Sequence, residues 1–124
     1  MNDAIRTYRF DNACHVIYQF FWGEFCDWYL ELIKPRLSGD DFPTVERACT
    51  NLVSLFESAL RLLHPVMPFI TEEIWHALYD QKPPLPSIAL ARYPQPDARQ
   101  MDDTAETEMA ILQDLIVSVR NLRA

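Results

Sequence analysis

The chain has 124 residues, eleven of them Lys or Arg and eighteen Asp or Glu, for a formal charge of −7 with 49% hydrophobic residues. That length holds one domain with a modest core, and that apolar content excludes a disordered chain. The negative charge runs against nucleic-acid binding, which sets Lys and Arg against phosphates, and only two glycines beside nine prolines favour punctuated helices over tightly turned strands.

Apolar residues recur at steps of three and four from Phe10 through Cys14, Ile17, Phe21, Phe25 and Trp28 to Leu32. This spacing predicts a first helix over about 3–34, stopped by Pro35. A second apolar line, Trp22, Cys26, Leu30 and Ile33, lies beside the first, so this helix is expected to touch more than one neighbour. Gly23 in its middle costs roughly 1 kcal/mol relative to alanine and suits a close helix crossing.

A second helix is predicted over about 43–64, with Asp40 or Asp41 as cap and Pro43 in its first turn. Its expected seam is Val45, Cys49, Leu52, Phe56, Ala59 and Leu63. The stretch Leu62–Leu78, LLHPVMPFITEEIWHAL, then forms a helix–elbow–helix joint. A residue before proline is pushed out of the helical region, which stops the second helix near His64. Thr71 is the expected cap of a third helix over about 71–80, with Glu72 and Glu73 on its positive end and Ile70 and Trp75 as a hydrophobic staple. Ser87–Tyr93 alternates as one short extended segment should. A fourth helix over about 103–123 starts at an Asp103/Glu106 capping box and is expected to bury Leu112, Leu115, Val119 and Leu122. The predicted fold is all-α, an antiparallel bundle of about four helices with one short extended segment.

No motif of catalysis stands out. There is no glycine-rich phosphate loop, no GxSxG and no HExxH. Glu72 and His76 lie four apart on one helix face, where a surface hydrogen bond is the plainer reading and a shared metal lacks a third ligand. The acidic line Glu24, Asp27 and Glu31 reads as a solvated face paired with Lys34. Cys14, Cys26 and Cys49 have no zinc spacing and are expected as buried free thiols of a reducing cytosol. No secretory signal precedes the first helix, and no apolar run approaches the roughly 18–20 residues of a membrane span, so a soluble cytoplasmic protein is expected.

Three segments carry a family resemblance. HPVMPFITEEIW resembles part of the anticodon-binding domain of class I aminoacyl-tRNA synthetases for large aliphatic amino acids. Phe20–Leu37, FFWGEFCDWYLELIKPRL, looks like the valyl branch of that family, and Asp114–Ala124, ending in VRNLRA, fits the helix that follows there. The resemblance implies an anticodon-binding helical bundle, incomplete here because the family's first helix and its C-terminal arm are absent. It implies a parent ligase that uses ATP and Mg²⁺ at sites elsewhere, since neither the HIGH-like nor the KMSKS-like signature occurs in these residues. No catalytic, cofactor or metal residue is expected in this segment.

The implied partner is tRNA-Val in a monomeric parent, bound weakly or not at all by the segment alone, which is also open to self-association through exposed apolar surface. Splayed anticodon bases need stacking surfaces with Arg or Lys near phosphates. Residues up to Arg36 include four basic against five acidic side chains, whereas 40–80 holds two against seven. The candidate RNA face is therefore Cys26, Tyr29, Leu30, Lys34 and Arg36. Against it, Leu30 can equally pack on the absent helix, and Lys34 can pair with Glu31. An isoleucyl or leucyl enzyme, or a stand-alone helical protein-interaction module, are the alternative readings.

Overall fold

A computed structural model describes residues 2–123. The chain clusters into two compact units, one ending at Pro94 and one starting at Gln95, where the sequence reading expects a single domain. The division falls in Tyr93-Pro94-Gln95-Pro96, whose prolines lack the backbone N–H that would tie the chain to a neighbour.

In the first unit, the helix expected over 3–34 is broken into four pieces. Helix α1 (Asn2–Arg6) ends in a Schellman turn: Arg9 N–H reaches the Ala4 carbonyl at 2.8 Å and Tyr8 N–H reaches Ile5 at 3.1 Å. Tyr8 takes the left-handed position, φ 59°, that glycine usually fills. Then α2 (Phe10–Tyr18) runs directly into a π-helical stretch, Gln19–Tyr29, and on into α3 (Leu30–Leu37). Leu30 N–H accordingly bonds the carbonyl of Phe25, five residues back.

A π turn is wider than the roughly 3.6 residues of an α turn. Mixing the two keeps every fourth residue on one side, and Ala13, Ile17, Phe25 and Ile33 are the buried positions. The stripe drawn at mixed steps of three and four is corrected at its ends: Phe10 is 59% exposed and Leu32 is exposed too. Phe21, Phe25 and Tyr29 stack in file with centroids 5.5 and 5.6 Å apart, and Phe56 lies 6.0 Å from Phe25. Pro35 does not stop the helix. In the final turn a proline forfeits a single backbone bond, and Ser38 N–H still closes on Lys34 at 3.0 Å.

Helix α4 (Phe42–Leu63) follows, with Asp41 extended at its N-cap and Pro43 in its first turn. Its buried positions are Ala48, Ala59 and Leu60; of the expected seam Ala59 is buried and Val45, Leu52, Phe56 and Leu63 are half-buried, while Cys49 is exposed rather than buried. Helix α5 (Pro68–Leu78) begins three residues before the expected cap, because Pro68 is preset for the first helical turn. Thr71 is thus inside the helix, only 2% exposed, and Ile70 is half exposed rather than stapled. His64 keeps helical dihedrals, φ −53° and ψ −41°, despite preceding Pro65.

Leu60, Trp75 and Ile88 form the core between α4, α5 and the following loop, with Phe56, Ile74, Leu78 and Tyr79 against them. Ile88–Leu90 is a 3₁₀ turn, not an extended strand: the Ser87 hydroxyl caps it by accepting from Ala89 N–H at 3.1 Å. No strand occurs among the described residues.

The second unit holds a short 3₁₀ turn, Ala98–Gln100, and helix α6 (Asp103–Arg123). Asp102 caps α6, accepting at 3.0 Å from both Thr104 and Ala105 N–H, one residue before the expected capping box. Leu112, Leu115, Val119 and Leu122 were the expected buried face. Inside this unit no second long element exists to cover them, and no residue of α6 is buried.

Candidate functional site

The proposed RNA face spans the junction of the π-helical stretch and α3. Cys26, Tyr29 and Leu30 are half-buried there, while Lys34 and Arg36 are exposed. Burial pushes the Cys26 thiol up, and the neighbouring Asp27 charge adds to the rise. Burial likewise raises the Tyr29 hydroxyl, with the Arg36 charge partly opposing it, so Tyr29 and Arg36 are within electrostatic reach. Lys34 Nζ sits 2.5 Å from Glu31 Oε1, with both side chains more than half exposed. The face therefore offers a phenol and one cation held near each other, with the second cation engaged by its own helix.

A polar cluster links α4, α5 and the loop beyond them. Glu57 Oε2 accepts from Arg61 at 2.6 Å and its Oε1 from the Trp75 indole N–H at 3.2 Å. Arg61 also donates to the Arg92 carbonyl at 2.7 Å. Its Nε is buried without a partner among the described residues. Glu72 lies 3.1 Å from His76 Nε2, the surface pair the spacing predicts, while its other oxygen accepts from the Ser87 hydroxyl at 3.0 Å and Ile88 N–H at 3.3 Å. No group of three or more metal-ligating side chains gathers among the described residues. The Glu57–Arg61 pair was legible as an i, i+4 charge pair. Nothing in local spacing signals the Arg61–Arg92 or Glu72–Ser87 contacts.

An apolar groove of about 580 Å³ lies on the first unit, with Ile17, Tyr18 and Trp22 on one wall and Leu63, Met67 and Ile70 on the other. Trp22 and Tyr18 are 57% and 59% exposed, with parallel rings 6.4 Å apart. Trp22 belongs to the second apolar line of the sequence, which asks for a neighbour beyond α4. Among the described residues no helix is long and apolar enough to cross a membrane.

The described residues thus form an all-helical fold with an aromatic-lined rod and a proline elbow between α4 and α5. Residues 1–124 match the family described as the anticodon-binding domain of tRNA ligase. The chain belongs to that family. It is 47% identical over 122 residues to valine–tRNA ligase of Solibacter usitatus (strain Ellin6076), covering 98% of this chain and 13% of that protein. It is 45% identical over 126 residues to valine–tRNA ligase of Neisseria meningitidis serogroup A, covering 99% of this chain and 13% of the relative. To valine–tRNA ligase of Thermotoga maritima it is 43% identical over 126 residues, covering 100% of this chain and 14% of the relative. The chain thus spans about an eighth of the length of these relatives.

Proposed function

We propose that this chain is the anticodon stem-loop-binding domain of a valine–tRNA ligase, a cytoplasmic enzyme that joins valine to tRNA-Val with ATP and Mg²⁺. The observation that carries the reading is identity of 43–47% to proteins of that name along essentially the whole chain. The domain's part is to hold the anticodon so that the acceptor end reaches a distant active site, which supplies binding energy and orientation, not bond-making. Catalytic, ATP and Mg²⁺ sites belong to other regions of a monomeric parent.

The RNA face in this reading is Cys26, Tyr29, Leu30, Lys34 and Arg36. Tyr29 supplies a ring for an unstacked base and Arg36 a cation for a phosphate, while Lys34 must leave Glu31 to take part. The apolar groove, with the exposed rings of Tyr18 and Trp22 on its wall, supports a further reading in which this chain self-associates through that surface.

The test is salt-dependent binding of this chain to tRNA-Val and to a tRNA-Val anticodon mutant. Discrimination between the two RNAs supports anticodon reading by the Cys26–Arg36 face. Equal weak binding or none refutes that assignment and moves the determinants to the rest of the parent.

A further inference from the structure

Ser87–Arg92 is held at both ends and by its middle. At the N-terminal end, one Glu72 oxygen accepts from the Ser87 hydroxyl and from Ile88 N–H, at 3.0 and 3.3 Å. At the other end Arg61 donates to the Arg92 carbonyl at 2.7 Å, steadied by Glu57. Between them Ile88, 2% exposed, plugs the gap beside Leu60 and Trp75. The turn's own bonds are local: Leu90 N–H to Ser87 at 3.1 Å, Ala91 N–H to Ile88 at 2.9 Å, and the Ser87 cap on Ala89. Leu90 faces outward at 66% exposure. Pro83, Pro84 and Pro86 on one side and Pro94 and Pro96 on the other carry no N–H that could anchor the flanks.

A segment whose internal bonds are local and whose outward bonds converge on two side chains needs little to come away whole. We infer that Ser87–Arg92 is a strap pinned by Glu72 and Arg61, which opens as a unit and uncovers Trp75 and Leu60 while α4 and α5 stay folded. Such sub-global opening lies well below the free energy of complete unfolding. The Trp75 indole stays bonded to Glu57 when the strap lifts, because that bond runs between α5 and α4, not to the strap. This inference goes beyond the anticodon reading and does not depend on it.

Native-state amide hydrogen exchange on this chain tests it, read by NMR at Ile88, Leu90 and Ala91 against Leu60 and Trp75. In the wild type the strap amides are expected to exchange about tenfold faster than the helix pair. Glu72→Gln, which keeps one acceptor oxygen and loses the charge, accelerates the strap amides by a further factor of about ten and the helix amides by less than about two. Ser87→Ala, the milder variant, gives the same selective acceleration with a smaller factor, which keeps the test open should Glu72→Gln fold poorly. Strap amides exchanging in step with Leu60 and Trp75, in wild type or in the variants, would show that the strap comes away only on global unfolding and overturn the inference.

Discussion

Thr71→Val tests how α4 is joined to α5. The Thr71 hydroxyl, in a residue 2% exposed, lies 2.8 Å from the Met67 carbonyl and 2.8 Å from His64 Nδ1. The consistent assignment has the hydroxyl donating to Met67 and accepting from a protonated Nδ1. Valine has nearly the same shape, so no cavity opens and the change isolates the hydroxyl. Met67 keeps a second donor, the Thr71 N–H at 3.3 Å, but the ring Nδ1–H of half-buried His64 loses its Thr71 partner. Leaving one such donor unsatisfied costs about 1–3 kcal/mol. Burying a methyl in place of the hydroxyl returns about 0.8 kcal/mol, for a net loss centred near 1 kcal/mol within a range of about 0.2–2 kcal/mol. With a urea m-value of about 1.5 kcal/mol/M, the midpoint falls by roughly 0.7 M, read by far-UV circular dichroism. His64→Leu combined with Thr71→Val should cost less than the two single changes together by about 1 kcal/mol, because the orphaned donor is gone. A Thr71→Val midpoint equal to or above wild type, or strict additivity in the cycle, would refute this account of the joint.

Gln81 sits at φ 60° directly after Asp80 at φ 50°, in the Schellman turn that ends α5, with its N–H 2.8 Å from the His76 carbonyl. Gln81→Gly relieves the left-handed penalty and is expected to raise stability by about 0.5–1 kcal/mol, seen as a higher thermal midpoint. Cys49 is exposed whereas Cys26 is half-buried with its thiol raised by burial and by Asp27. Since only the thiolate reacts, iodoacetamide at pH 8 should label Cys49 well before Cys26, and Cys26 should catch up only as pH rises past the ordinary thiol range; mass spectrometry of digested peptides reads this directly. Should the chain bind tRNA, Arg36→Ala removes one phosphate contact and reduces the slope of log K against log salt by about 0.7–0.9. Lys34→Ala has the smaller effect because Glu31 already holds that ammonium.

The sequence by itself determined the all-helical class and the break between the second and third predicted helices at Pro65, because these rest on contacts within four residues and on the geometry of single residues, whereas the stop expected at Pro35 does not occur. It also carried the family, through HPVMPFITEEIW and FCDWYLELIKPRL. Local rules placed Thr71 at a cap, since Ser and Thr favour that position, yet Pro68 starts α5 three residues earlier and turns the hydroxyl toward His64. Residues 3–34 read as one α-helix because steps of three and four suit that period; stacking of Phe21, Phe25 and Tyr29 around Phe56 accompanies the wider register that brings every fourth residue inward. Only the tertiary structure decided where the charged groups went. Glu72 reaches Ser87 fifteen residues on and Arg61 reaches Arg92 thirty-one residues on, and such bonds exist only once the chain has folded back on itself. Periodicity reports which face of a helix is apolar, but the partner of a buried polar group depends on which distant backbone atoms packing brings within about 3 Å.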